Sequence, residues 1–576
     1  MHGFFGSYGQ AYSWDIASLL EKRTLVTRQK NEGAFHLLQA TLPKFLEDKY
    51  FFEEGGCFLA VEGVLFVADK PNEALARYRK GETVFWDTWR GSFAGILYDR
   101  NTDTLLLFND HIGSKMLFYA QVQQDFLFSS DLPILTDVLR PKGIGSYNGQ
   151  FAWSMLSFGY SPLDETPISG VHRLGAGQYL CIRGEKAEQR TYHRFTIVPN
   201  ALSEQENIQQ VEILFRQAVQ RVLDKNRQYG LKHTAALSAG LDSRMSVCLA
   251  RELTNEPIDV VTYSQTGFYD EQIPKDIARQ WQLSMHFTPL DGGDYLQAID
   301  ETNRVTGGIV AFAGAAQVLD GFSSLDGSRT GVVLTGMIGD IVLSSRLKKD
   351  SPSYAGLGAL STRWLSNVRS VTDALRQLYP MQELYYLYVR GFNCADLGSP
   401  LVLQTTGESY SPFYDVDLLQ FCLSVPLSQR YNYRLYDRWI AQYHPQAAQW
   451  AHNGTRQIGK SVRKVTIAQR EIPLNDLPKR IVWYLSKKLH IYNFYQDKEG
   501  ESMNPMDSWY AASPSLREVL DSYFAKHINL LDFSDELKQA ASDLYRTGTV
   551  MEKIQVLTLL ASLRLNRLSV NDGIDE

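Results

Sequence analysis

His233-Thr234-Ala235-Ala236-Leu237-Ser238-Ala239-Gly240-Leu241-Asp242-Ser243-Arg244-Met245-Ser246-Val247-Cys248-Leu249-Ala250 decides the fold. Residues 233–237 read as a short buried strand, and 244–250 carry apolar residues at helical spacing. Between them lies a turn of small residues closed by Asp242 and Ser243, both good N-cap types. Such a turn points backbone N–H groups at one spot, with the positive end of the helix dipole behind them. The reading is a phosphate seat. Ser238 and Ser243 add hydroxyl donors, and Asp242 is a hard oxygen ligand for the magnesium that accompanies polyphosphate. An ordinary Ser/Gly strand-to-helix turn shares the pattern. A Walker loop does not, because no Gly-Lys-Ser/Thr follows.

Working outward, residues 258–264, ending in Tyr263-Ser264, form a near-continuous β run, as in a parallel strand buried on both faces. A helix through 277–279 and a short run at 285–287 follow. Val332-Val333-Leu334 is a further strand, entering Thr335-Gly336-Met337-Ile338-Gly339-Asp340-Ile341. This alternation predicts a doubly wound sheet with the ligand at the carboxyl ends of its strands. Upstream, residues 196–208 read as a linker into a long helix with Ile208, Val211, Leu214, Phe215, Val219 and Val222 on one face. Residues 1–195 hold short apolar runs at 57–61, 63–68, 93–98, 104–108, 116–120 and 126–129, with a hairpin signal at 99–103. Helical pieces are expected at 35–46 and 72–79. Runs at 170–174 and 179–182 are expected to close this part around Gly175-Ala176-Gly177. The sum is an α/β-layered domain dominated by antiparallel sheet.

The 237–243 loop resembles the SGGxDS loop of ATP pyrophosphatases, and its form Leu-Ser-x-Gly-Leu-Asp-Ser is similar to that of the asparagine synthetase family. Ala239 stands where the family has its first glycine; if that position needs positive φ, alanine costs roughly 1 kcal/mol. Further motifs follow in family order. Arg90-Gly91-Ser92-Phe93-Ala94 and Asn109-Asp110-His111-Ile112-Gly113-Ser114-Lys115 resemble a class II glutamine amidotransferase domain. Phe268-Tyr269-Asp270-Glu271 and Ser411-Pro412-Phe413-Tyr414-Asp415 have family counterparts too.

In the 335–341 stretch Gly336 and Asp340 match the family, and Ile338 takes the place of a glycine. Met337 and Ile341 replace two glutamates. The resemblance implies an Ntn-hydrolase-like αββα sandwich over residues 1–195. A synthetase domain over 205–576 would follow, an adenine-nucleotide α-hydrolase-like doubly wound parallel sheet with a helical C-terminal part. It implies ATP held by Leu237, Ser238, Ala239, Gly240, Leu241, Asp242, Ser243, Tyr263 and Gly336, and magnesium shared by Asp242 and Asp340. Lys460, with Arg456 as fallback, would stabilise charge on the departing pyrophosphate.

The chain begins Met1-His2-Gly3, where the family has Met-Cys-Gly, and Glu62-Gly63-Val64 replaces its Asn-Gly-Glu pocket. Met1 is expected to stay, and an imidazole cannot form the thioester of cysteine chemistry. A dead glutaminase follows, so nitrogen comes from ammonia or an amine. The expected function is an amide-forming ligase that adenylates a carboxylate and releases AMP and pyrophosphate. Its acceptor is a sugar acid or other small carboxylate, and the loss of glutamate at Met337 argues against free aspartate. The alternatives are a silent ATP-binding relative with a regulatory or scaffold role, and a lasso-peptide or β-lactam-type cyclase.

Composition sets outer bounds. The 576 residues carry net charge −6, with 44% hydrophobic and 21% charged residues, ordinary for a globular protein. That charge argues against a dedicated nucleic-acid partner. The basic run 456–490 reads as a solvated face. Five scattered cysteines, with no CxxC pair, read as thiols in a reducing compartment. Without a leader or a long apolar run, a cytoplasmic protein without membrane contact is expected. A homodimer is one possible assembly.

Overall fold

A computed structural model describes residues 2–16, 24–142, 145–343, 347, 358–451, 458, 464–467, 470–473 and 502–566. Its first part is two stacked antiparallel sheets. One runs in the order β10 (Val171–Arg173), β8 (Phe118–Val122), β9 (Asp125–Ser129), β1 (Gly3–Tyr8), β3 (Phe35–Thr41), β2 (Val26–Glu32). The other runs β12 (Lys186–Thr191), β11 (Gln178–Arg183), β7 (Thr104–Asn109), β6 (Arg90–Asp99), β5 (Cys57–Val67), β4 (Phe51–Glu54).

Side-chain alternation explains the stacking. In β6, Ala94, Ile96 and Tyr98 enter the core between the sheets, while Phe93 and Leu97 enter a second core on the outer face. In β7, Leu105 and Leu107 point inward, and Leu106 and Phe108 outward onto Trp86 and its neighbours. With both faces buried, the strand period of two is hidden in an unbroken apolar run. The helix Pro71–Arg79 covers the outer face of this sheet, and the helices Leu132–Leu139 and Gly149–Phe158 pack against the other. The layers are therefore αββα.

Two expectations need correction. Residues 35–41 form strand β3, hydrogen-bonded on both edges to β1 and β2, not a helix. The runs at 170–174 and 179–182 do not pair with each other: β10 joins β8, and β11 joins β7 in the opposite sheet.

The helix Glu204–Gln228 follows, capped by Ser203 with Glu206 in a reciprocal capping box. Five of its six expected face residues are buried, and Leu214 is partly so. It leads to a parallel sheet in the order β15 (Ser284–Pro289), β14 (Ile258–Ser264), β13 (Lys232–Ala236), β16 (Thr330–Leu334), β17 (Glu408–Tyr410). Chain order runs outward from β13 on one side and resumes at β16 on the other. The reversal between β13 and β16 is a topological switch point, where loops leaving the two carboxyl ends open a crevice. The helices Pro514–His527, Asp535–Thr547 and Val550–Leu565 fill a core shared with the Gly149–Phe158 helix. Among the described residues no helix is long and apolar enough to cross a membrane.

Candidate functional site

The crevice is built by the 237–243 loop after β13 and the 335–340 loop after β16. Leu237 N–H donates to the Val261 carbonyl at 2.9 Å, and its own carbonyl accepts from Thr262 Oγ1 at 2.7 Å, so β14 fixes the loop's departure. Ser238 and Ser243 hydroxyls meet at 3.0 Å across the loop. Ser238 N–H donates to Ser243 Oγ at 3.0 Å, Gly240 N–H to Ser238 Oγ at 3.2 Å, and Ala239 N–H to Asp270 Oδ1 at 2.9 Å. The helix starts at Leu241 with Gly240 as N-cap, two residues before Asp242, the earlier of the two N-cap types read from the sequence. Asp242 and Ser243 thus lie in the first turn, where a carboxylate favours the helix dipole. Ala239 does not occupy the left-handed region, so its methyl carries no backbone strain.

The second loop lies directly on the first. A Cβ at Gly336 would sit 2.1 Å from Ser243 N and 2.4 Å from the Asp242 carbonyl carbon. One at Gly339 would sit 2.5 Å from Asp242 Cγ. Asp340 N–H donates to Asp242 Oδ2 at 3.0 Å, and Tyr436 Oη–H donates to Oδ1 at 2.8 Å. The Asp242 carboxylate and the Asp340 backbone, from two different strand ends, therefore meet directly. Ile338, in the family's glycine position, has φ +57°, a conformation that costs a β-branched residue roughly 1–2 kcal/mol. Its side chain is buried in the core beneath, which opposes that cost. Met337 is partly buried there, its carbonyl accepting from Ser411 Oγ at 2.9 Å.

Residues whose role the sequence did not disclose hold this arrangement. Asp270 anchors the Ala239 amide, and burial pushes its carboxyl up. Arg244, wholly buried, donates to the carbonyls of Ala239 (2.7 Å), Ala447 (3.1 Å), Trp450 (2.8 Å) and Ala451 (3.1 Å). Burial depresses it to about 10. Tyr263 lies at the carboxyl end of β14 with its ring beside Gly321 and Phe322. Lys460 and Arg456 lie outside the described residues.

Asp396 is buried nearby and accepts from the Tyr414 hydroxyl, while its other oxygen has no partner. Burial pushes this carboxyl up to about 8. Its proton is held more tightly in the fold than in the unfolded chain, so the stability it permits is full at acid pH and falls as pH climbs toward 8. Asp396→Asn is expected to remove about 2 kcal/mol of the loss between roughly pH 6 and pH 8. Urea midpoints for both proteins at the two pH values read it; parallel pH profiles would contradict it.

The other cleft inherited from the sandwich is nearly closed. His2, Glu62, Ala94, Lys115, Met116, Ser130 and Gln404 line a cavity of about 20 Å³. That holds about one water. Glu62 accepts from Thr41 Oγ1 at 2.8 Å and Gln39 Nε2 at 3.1 Å, with Lys49 Nζ at 3.3 Å and His2 Nε2 at 3.6 Å. Lys115 bridges to the buried Glu408 of β17 at 2.6 Å.

Both parts of the chain match known families. Residues 60–193 match the family described as Glutamine amidotransferase domain, and residues 210–387 match Asparagine synthase. The amidase chyE of Penicillium rubens is 28% identical over 188 residues, covering 32% of this chain and 26% of that protein. Asparagine synthetase [glutamine-hydrolyzing] 1 of Bacillus subtilis is 24% identical over 223 residues, covering 38% and 34%. The chain thus spans about a quarter to a third of the length of these relatives. Among solved structures, the glutamine phosphoribosylpyrophosphate amidotransferase from B. subtilis, complexed with ADP and GMP, aligns with TM-score 0.25 and 12% identity. That alignment covers 69% of this chain and 95% of that one.

Proposed function

The chain belongs to the asparagine synthetase family, and on that premise we propose that it is an ATP-dependent ligase forming carbon–nitrogen bonds. In this reading it divides into an amidotransferase-like part, 1–195, and a synthetase part, 205–576. The observation that carries it is the contact of the two loops at the switch point, Asp340 N–H on the Asp242 carboxylate. A polyphosphate seated there would meet Ser238 and Ser243 hydroxyls, the first turn of the Leu241–Leu253 helix, and two carboxylates able to share magnesium. The residues fit that ion in kind: both are hard oxygen donors, and an ionised carboxylate retains lone pairs beyond those used by Tyr436 and the Asp340 amide.

ATP supplies the leaving group, and a carboxylate substrate becomes an acyl adenylate, which ammonia or an amine attacks. What this chain contributes is placement. The loops fix the polyphosphate, and the half-buried Met337 offers an apolar, adaptable wall where an acidic side chain would handle a proton. On that ground the proposed acceptor is not free aspartate, and the sugar acid or other small carboxylate implied by the resemblance is the class we propose. Carboxylate-dependent exchange of labelled pyrophosphate into ATP tests the reading. Asparagine formation from aspartate, ammonia and ATP at rates matching its relatives would overturn the acceptor assignment.

The nitrogen source in this reading is not glutamine. What supports this is the small cavity, about 20 Å³, lined by His2, Glu62 and Lys115, which is about the space of one water. His2→Cys is expected to yield no glutamate from glutamine, because the closed pocket persists. Glutamate release that depends on residue 2 would contradict this.

One observation favours a second reading, a silent ATP-binding relative: the amides of Ser238, Ala239 and Gly240 already have acceptors within the protein. Pyrophosphate release with any carboxylate rejects it.

A further inference from the structure

Away from the crevice, three side chains from separate segments meet at the edge of the sandwich. Asp87 lies in the short helix Phe85–Thr88, His111 in the loop after β7, and His193 just after β12. His111 Nε2 is 3.2 Å and His193 Nδ1 3.4 Å from the same oxygen, Asp87 Oδ1, and His111 Nε2 also lies 3.0 Å from the Asp87 carbonyl, a contact that an ion would have to displace. All three ligand atoms lie within 4.8 Å of one another. His111 is buried, His193 partly so, and the Asp87 side chain is 51% exposed.

These separations are long for charge-assisted hydrogen bonds, which run about 2.7–2.9 Å. They match the edges of a tetrahedron: bonds of about 2.0–2.1 Å from zinc to nitrogen and oxygen put neighbouring ligand atoms about 3.3–3.4 Å apart. His193 adds a second observation. Its Nε2 is buried without a hydrogen-bond partner, so Nδ1 is the ring's polar outlet. The surroundings hold the rings in place: His111 and His193 meet at 4.6 Å, Tyr192 flanks the first and Phe195 the second. Arg90 Nη1 donates to the carbonyls of Asp87 (3.1 Å) and Trp89 (2.9 Å), and its Nη2 pairs with Asp417.

We propose that Asp87 Oδ1, His111 Nε2 and His193 Nδ1 bind one divalent metal ion of the zinc class, with water at the exposed fourth position. Two imidazoles and one carboxylate suit zinc over magnesium or calcium, which favour all-oxygen shells. Phe195, two residues beyond His193, is buried in the core of the second part and donates its N–H to Tyr388 Oη at 2.9 Å. The ion therefore clamps the outgoing chain to the sandwich at the point where it crosses to the parallel sheet.

A second cluster, Cys248, Glu252 and His444, serves as the control. Both nitrogens of His444 are committed, to Glu212 at 2.7 Å and Glu252 at 2.9 Å. That imidazolium has no lone pair to offer a metal.

The test titrates chelator-treated full-length protein with Zn2+, and separately with Co2+, in excess Mg2+ to occupy oxygen sites. One equivalent is expected to bind, to raise the melting temperature, and with Co2+ to give the intense visible bands of four-coordination. His111→Gln and His193→Gln keep a donor in place and are expected to weaken binding at least tenfold, as is Asp87→Asn; Cys248→Ser is expected to leave it unchanged. Circular dichroism selects the folded variants. No saturable equivalent, binding indifferent to all three substitutions, or binding lost in Cys248→Ser would each overturn the assignment.

Discussion

Gly336→Ala is expected to lower carboxylate-dependent ATP–pyrophosphate exchange by about 100-fold or more and to destabilise the fold by about 3 kcal/mol. The new methyl would fall 2.1 Å from Ser243 N and 2.4 Å from the Asp242 carbonyl carbon. Both are backbone atoms at a helix start, so no flexible side chain can yield. Either the 335–340 loop lifts from the helix or the helix start shifts. In both cases Asp340 moves relative to Asp242, and the hydrogen bond between them is lost. Misplacement on the order of 1 Å costs about 100-fold where two groups must hold one ligand. Exchange within a few-fold of wild type, with unchanged denaturation midpoint, would show that the loops do not meet as described.

The second large effect is at Arg244. Its guanidinium carries no carboxylate partner in the described contacts, and four backbone carbonyls accept from it. It ties the Ala239 turn to residues 447–451, which lead to the 452–460 stretch holding Arg456 and Lys460. Arg244→Met keeps bulk but leaves four carbonyls short of a donor, and is expected to cost about 3–5 kcal/mol. Arg244→Lys is expected to recover only part, because an ammonium has three donors and no planar fork. Urea denaturation of the three proteins measures this. A methionine variant as stable as wild type would mean that burying the charge costs what its hydrogen bonds contribute.

The sequence discloses most where local chemistry and fold agree. Residues 233–250 gave strand, turn and helix because a small-residue turn between two periodic segments has few other solutions, and the parallel sheet followed from alternation. It misleads where long-range pairing overrides spacing. Phe35, Leu38, Leu42 and Leu46 mimic a helical face, yet 35–41 is held as a strand by partners on both sides. Strand β1 went unread for the same reason: its pairing with residues 35–40 and 126–129 leaves no local trace. At the site, Asp242, Ser243, Gly336 and Asp340 are legible as types at strand ends. Tyr436, 194 residues from the carboxylate it contacts, is not. Asp270 sits in a quoted motif, but only the fold reveals that it holds the Ala239 amide. Ile338 shows the reverse. A glycine-like position was visible, and the structure gives it the left-handed backbone that explains why glycine suits it.

A shared magnesium ion at the switch point is the centre of this account, and a double-mutant cycle tests it most directly. Mg·ATP affinity is measured by calorimetry for wild type, Asp242→Asn, Asp340→Asn and the double variant. If one ion bridges both carboxylates, each single change removes most of the affinity and the double change removes little more, a coupling of about 1–3 kcal/mol. Unchanged affinity in the single variants, or losses that simply add, would contradict a site built jointly by the two loops.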